Sequence, residues 1–315
     1  MEKARSAWDY LMISLKGFCM GAADVVPGVS GGTIAFITGI YEELLTSIRS
    51  FDLRFFRLIT AMRIREAMAH TSWPFLVSLI LGIFAAILSL ARILAWLLQS
   101  HPVLIWSFFF GLVLASALTV ARDLDTWRLS YIACTVLGTL GAYFLVGMVP
   151  VSTPDTPWFL FLSGSIAICA MILPGISGSF ILVLLGKYQY VLQAVNDRDL
   201  LTLIVVGAGA VVGIITFVRL LGWLLARYRY ETMAVLTGFM LGSLRRVWPW
   251  KTTLEEIIDA QGHALVISQS NSVPSQWNSE VTFALCLAIF GFLLVLFLNF
   301  LAGGKDRPNA LHPES

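Results

Sequence analysis

Pro27-Gly28-Val29-Ser30-Gly31-Gly32 returns in the same chain as Pro174-Gly175-Ile176-Ser177-Gly178-Ser179, and both copies interrupt otherwise apolar stretches. Proline removes a backbone donor and glycine tolerates sharp bends, so each copy breaks a helix. The register extends beyond the hexapeptides. At a constant offset of 147 residues (174 − 27), Ile34 matches Ile181, Gly39 matches Gly186, Tyr41 matches Tyr188 and Leu45 matches Leu192. Further on, Arg92 and Trp96 line up with Arg219 and Trp223, and Gly111 and Ser116 with Gly238 and Ser243, at an offset of 127 (219 − 92). The 20 residues by which the offsets differ (147 − 127) fall in one loop, residues 49 to 72. The chain therefore reads as a single membrane domain, 1–315, of two homologous halves, about 8–149 and 160–301.

Apolar residues make up 58% of the chain and charged ones 13%, outside ordinary soluble composition. Stretches at about 74–98, 102–120, 131–149, 200–225, 231–247 and 281–301 have the length of bilayer spans. The predicted class is an all-α polytopic membrane protein. The motif-bearing stretches, 8–47 and 160–195, each read as two short arms joined at the break, a re-entrant helical hairpin that enters and leaves on one side. Broken backbone is tolerable at that depth only where protein or water covers it, so the breaks should face inward.

Arg49, Arg54, Arg57, Arg63 and Arg65 crowd one loop, Arg122 and Arg128 another, and Lys305 and Arg307 the C-terminus, which puts these cytoplasmic. Residues 150–158 and the polar segment 252–280 contain no Lys or Arg and fit the outside. Three crossings then separate the hairpins, and an odd number inverts one half relative to the other. Lys187, Arg245 and Arg246 fall on the outer side, against this scheme. The apolar run after Lys3 and Arg5 resembles a signal peptide with Gly21-Ala22-Ala23 as a cleavage site, but it aligns with the arm 161–171 of the second half, so its removal would leave one half incomplete.

Two mirrored breaks suggest a substrate site between the halves, with donors for an anionic head group: the backbone at Pro27, Gly28, Gly31 and Gly32 and at Pro174, Gly175 and Gly178, and the hydroxyls of Ser30, Thr33, Ser177 and Ser179. The plainer alternative is that the small residues only let helices cross closely. Arg92 and Arg219 each lie roughly 9 Å from the midpoint of their span, where a guanidinium either serves phosphate or carboxylate or snorkels to the interface. Asp24 has Met171 as its counterpart. It is a candidate for coupling to a cation or proton, or for pairing with Arg92 or Lys16. Glu42 and Glu43, opposite Gln189 and Tyr190, are candidates for the same coupling role or ordinary solvated carboxylates. Tyr41 and Tyr188 read as interfacial anchors, and Glu231 as a helix start paired with Arg227 or Arg229. Cys19, Cys134, Cys169 and Cys286 are single, the four histidines are scattered, and no nucleotide-binding glycine motif occurs, so no metal, cofactor or nucleic-acid partner is expected. Nothing in the pattern bears on oligomeric state.

At Gly21-Ala22-Ala23-Asp24-Val25-Val26-Pro27-Gly28-Val29-Ser30-Gly31-Gly32-Thr33, with Gly39, Tyr41, Glu42 and Glu43 following and Leu173 to Ser179 echoing it, the sequence resembles the bacterial polyprenyl-phosphate transporter family, the PopT-like membrane proteins. The resemblance covers nearly the whole chain. It implies movement of undecaprenyl phosphate from the outer to the inner leaflet of the cytoplasmic membrane, with the lipid phosphate held at the breaks. Two other readings stay open. Pro-Gly-x-Ser-Gly is also similar to the Pro-Gly-x-Ser-Arg-Ser-Gly motif of membrane undecaprenyl-pyrophosphate phosphatases, but Gly31 and Gly178 stand where those enzymes have arginine, so the expectation is not an enzyme. A small-anion channel or carrier would use the same donors.

Overall fold

A computed structural model describes residues 5–26, 29–122, 124, 128–258, 264–274 and 276–303. Pro27, Gly28, Lys305 and Arg307 lie outside the described residues. The first hairpin is α1 (Ala7–Val25), α2 (Gly31–Ile37) and α3 (Tyr41–Arg49), followed by α4 (Leu53–Thr60) and α5 (Ile64–His70). Three long helices come next, α6 (Trp73–Ser100), α7 (Pro102–Arg122) and α8 (Leu129–Val146). The second hairpin is α9 (Pro157–Ile172), α10 (Gly178–Leu184) and α11 (Tyr188–Asn196), and α12 (Leu200–Arg227) and α13 (Arg229–Val247) follow it. Strands β1 (Lys251–Ile258) and β2 (Ala264–Asn271) pair antiparallel before α14 (Ser279–Gly303). That β-hairpin, inside the segment expected only to be a polar excursion, is the departure from an all-α chain.

The protein is polytopic. Helices α6, α7, α8, α12 and α14 are each long and apolar enough to cross a membrane, and α10 with α11 forms a sixth candidate bent by 106°. Side chains such as Leu88, 83% exposed, and Phe300, 79% exposed, could not face water in such numbers and mark a lipid-facing surface. Helix α13, expected as a span, carries Glu231, Arg245 and Arg246. It packs on α7 and α8, and ten of its residues are buried, so its surroundings are protein rather than lipid.

Lipid offers little hydrophobic drive between helices, so close backbone approach has to hold them. Helix α1 packs on α6 as α9 packs on α12, and α7 packs on α14 as α13 packs on α8. Glycines set these seams. A Cβ at Gly82 would overlap the Ser14 carbonyl, and one at Gly209, 127 residues later, the Phe161 carbonyl, 147 residues after Ser14. Likewise Gly111 lies against the Ala288 carbonyl and Gly238 against that of Thr135.

The arm after each break turns a second time. Gly39 and Gly186 adopt positive φ, 73° and 65°, which a side chain disfavours. Each ends a short helix in a Schellman motif: Gly39 N–H donates to Phe36 (3.1 Å) and Ile40 N–H to Ala35 (3.0 Å), as Gly186 does to Val183 (2.9 Å) and Lys187 to Leu182 (2.8 Å). The inserted α4 and α5 expose Leu53, Phe56, Ile59 and Met62 beside Arg54, Arg57 and Arg63, the pattern of helices lying in a membrane interface.

Lys187, only 2% exposed, donates to the Thr153 carbonyl (2.6 Å) and pairs with Asp155, and so pins the α10–α11 turn to the segment before α9. Phe159 and Tyr190 rings lie 5.7 and 5.9 Å from its ammonium. Asp155 keeps 57% of its side chain exposed. The two partners should therefore differ on removal. Asp155→Ala strands a buried ammonium and should lower stability by about 2 kcal/mol, between the ranges for exposed and buried pairs, whereas Lys187→Met leaves a solvated carboxylate and should lose less. Thermal unfolding of both variants in detergent checks this, and equal losses would contradict it.

Candidate functional site

The two breaks meet. Ser30 Oγ donates to the carbonyls of Met171 (3.1 Å) and Leu173 (3.2 Å), and the Gly175 N–H donates to Thr33 Oγ1 (2.9 Å). Tyr41, at the start of α3, donates its hydroxyl to the Ile172 carbonyl (3.2 Å). The end of α9 leaves its carbonyls without intrahelical partners, and residues of the other hairpin satisfy three of them. Gly32 permits the approach, since a Cβ there would stand 2.5 Å from the Ile172 oxygen. Ser30, Thr33, Ser177, Pro174, Gly175 and Gly178 are buried, and Ser179 is half-buried.

The two short helices begin differently. At α2 the Asp24 carboxylate accepts from the Gly31 N–H (2.7 Å) and Ser30 Oγ from the Gly32 N–H (3.1 Å). At α10 no side chain caps the start: Ser177 and Ser179 share one hydrogen bond (2.8 Å), and the counterpart of Asp24 is Met171. Asp24 thus supplies an acceptor oxygen to the first motif, and pairs with neither Arg92 nor Lys16; Lys16 instead donates to the Thr38 carbonyl (2.8 Å). Gly175, at φ 91°, fits against α13, where a Cβ would stand 2.9 Å from both the Phe239 carbonyl and Ser243 Oγ.

The other candidates lie elsewhere. Arg92 and Arg219 are both exposed, and no hydrogen bond or ion pair among the described residues joins either to the breaks. Arg219 lines a cleft with Arg49, Asp52 and Arg54. Glu42 pairs with Arg229 (2.7 Å) and Glu43 with Arg5 (2.6 Å), so α3 is fastened to the start of α13 and to the N-terminal segment. Arg229 is thereby engaged across the chain rather than by Glu231. Sequence reading missed Tyr41, which is buried at the seam instead of anchored in an interface; its conserved spacing from Gly39 within both halves was the available signal, but Tyr188 at the matching place is 39% exposed. Cys19 and Cys286 are exposed.

Two similar broken helices, seated on one another within a bundle of apolar spans, have the build of a membrane transporter. Among the described residues no three His, Cys, Asp or Glu side chains gather to hold a metal ion. The chain belongs to the undecaprenyl phosphate translocase-like (VCA0040-like) family, which matches residues 20–265. It is 44% identical over 306 residues to the polyprenyl-phosphate transporter of Vibrio cholerae, covering 94% of this chain and 98% of that one. To the polyprenyl-phosphate transporter of Staphylococcus aureus it is 31% identical over 255 residues, 75% of this chain and 85% of that one. No solved structure matches it significantly.

Proposed function

We propose that the chain moves polyprenyl phosphate, such as undecaprenyl phosphate, from the outer to the inner leaflet of the bacterial cytoplasmic membrane, returning a carrier lipid for cell-envelope synthesis. The mechanism we infer is alternating exposure by two inverted repeats, about 8–149 and 160–301, in one membrane domain. The termini are cytoplasmic and residues 252–280 lie outside. Identity of 44% over 94% of this chain and 98% of a polyprenyl-phosphate transporter supports the substrate.

One observation carries the mechanism. The hairpins match in build, yet they close unequally: α3 packs on α12 of the other half, while α11 packs on α12 of its own half and makes no comparable contact with α6. Glu42–Arg229 fastens the closed side, and the positions matching it in the repeat, Gln189 and Pro102, hold no such pair. A carrier built of two alike halves is asymmetric in each of its end states, with one face sealed and one open. In this reading the inner face is sealed, and the head group arrives from the outer leaflet while the prenyl tail stays in lipid. The phosphate passes between the breaks, Pro27, Gly28, Ser30, Gly31, Gly32 and Thr33 on one side and Pro174, Gly175, Ser177, Gly178 and Ser179 on the other. Arg92 serves the outer end and Arg219, with Arg49 and Arg54, the inner one. Asp24 competes with the phosphate for the first break, and its displacement is the step at which a coupling cation or proton would act. Glu42 and Glu43 latch the inner face.

The test is reconstitution in liposomes carrying polyprenyl phosphate in one leaflet, with head-group accessibility followed in time. Wild-type protein should equilibrate the leaflets, and Ser177→Ala and Arg92→Ala should slow it at least tenfold. Wild-type rates equal to those of empty liposomes would end the transport reading. Full rates in both variants would leave transport and remove these residues from the site. Flux of a water-soluble anion without lipid would point to the anion carrier instead.

A further inference from the structure

Three cations gather where α13 ends and β1 begins. Arg245, Arg246 and Lys251 line one cleft of about 60 Å³, together with residues 146–149 at the end of α8 and with Gln269 and Asn271 of β2. Each is steadied from its neutral side. The Arg245 guanidinium lies 4.4 Å over the Tyr143 ring and donates to the Tyr143 carbonyl (3.0 Å), in space that Gly147 leaves for want of a Cβ. Arg246 lies 5.0 Å over the ring of Phe180, in α10, two residues past the Ser177-Gly178 start. Lys251 sits 4.4 Å over Trp106 and donates to the Arg246 carbonyl (2.6 Å).

Like charges crowded in a partly buried cleft are unfavourable unless something negative joins them. None of the ion pairs among the described residues involves any of the three. The buried Arg246 Nε has no hydrogen-bond partner among them. Burial first, and then the charge of Arg246, pushes the Lys251 ammonium down to about 7. In the proposed topology the cluster lies on the outer side, where the neighbouring segments 252–280 and 150–158 have no Lys or Arg. A guanidinium with free N–H groups beside an ammonium suits a compact, multiply charged oxyanion.

We propose that this cleft binds a phosphate group, with Arg246 and Lys251 contacting its oxygens and Arg245 forming the cationic wall. The inference rests on the transport reading in one respect: it makes the cleft the place where the lipid phosphate is collected on the outer side, before it moves along α10 to the breaks. A phosphate monoester on a prenyl chain and free phosphate share this chemistry, and the cleft's position beside the bundle favours the lipid.

The experiment titrates the purified full chain in nanodiscs with farnesyl phosphate, inorganic phosphate and farnesol, and runs the same preparations in the liposome assay. Farnesyl phosphate should bind and farnesol should not. Arg246→Gln and Lys251→Gln should each weaken farnesyl phosphate binding at least tenfold. Gel filtration verifies folding, and Lys251→Gln, in a strand outside the helices, gives the readout even where Arg246→Gln is lost to misfolding. Inorganic phosphate bound as tightly as farnesyl phosphate would keep the anion site and overturn its assignment to the lipid. Unchanged affinity in the folded variants would overturn the site itself, and if wild type still moves lipid the transport reading survives. Weakened binding in the variants alongside a wild type that moves no lipid would keep the site and end the transport reading.

Discussion

Alanine at Gly209 should cripple the protein while alanine at Gly207, two residues away in the same helix, should leave it intact or slightly stabler. At position 209 an added Cβ would run into the backbone of α9 at Phe161, and no flexible side-chain end is there to give way. The helices must part, and overpacking of this kind costs about 1–3 kcal/mol or more. At position 207 nothing lies within 4 Å of the added atom. There the substitution only restores helix propensity, a gain of about 0.5–1 kcal/mol. Gly82→Ala, at the matching seam between α6 and α1, should behave like Gly209→Ala. Thermal unfolding and folded yield in detergent measure all three. Similar losses at 207 and 209 would mean that α9 and α12 do not approach as closely as this packing requires.

That seam also explains how far the sequence could be read. The offsets 147 and 127 came from Pro, Gly, Arg, Trp and Tyr, and they hold in the elements to the residue: α2 and α10 begin and end 147 apart, as do α3 and α11, and α6 and α12 begin and end 127 apart. The reason is physical. A break, a left-handed turn or a close helix crossing admits only a few residue types, so it leaves the same letters in both halves. Glycines such as Gly82 and Gly209 were in plain view, but which helix each one admits is a property of the packing and not of the spacing.

The site was legible in outline and not in detail. That the breaks come together follows from their duplication, but that Asp24 occupies one of them depends on a side-chain direction no pattern encodes. The β-hairpin escaped because its strands, Lys-Thr-Thr-Leu-Glu-Glu-Ile-Ile and Ala-Leu-Val-Ile-Ser-Gln-Ser-Asn, mix apolar and polar residues without the regular alternation that marks a strand. Lys187, Arg245 and Arg246 looked like exceptions to the charge bias, and they are better read as charges with local employment: Lys187 is buried against Asp155, and the two arginines line a cleft. A cation that violates a topological preference is a stronger pointer to a specific role than one that obeys it.

Thr33→Val should loosen the joint between the two hairpins, and Thr33→Ser should not. Valine has threonine's shape but no acceptor, so the Gly175 N–H would lose the oxygen that now accepts from it at 2.9 Å. Thr33 is fully buried and Gly175 is buried too, so water does not replace that oxygen, and an orphaned donor costs about 1–3 kcal/mol. The break has little freedom to find another partner, because Gly175 is wedged against Phe239 and Ser243 of α13. Ser30→Ala, one helical turn earlier on the same face, removes the donor to Met171 and Leu173 and the cap on Gly32, with a loss of similar size. Because Ser30 and Thr33 hold the same segment, the double variant should fall short of the sum of the two losses, once the segment has come away. Unfolding of the four proteins in detergent gives the cycle. Strict additivity, or a valine variant as stable as wild type, would show that the seam between the breaks is not a single fastening, whereas the alternating exposure proposed above needs one that can be made and unmade as a unit.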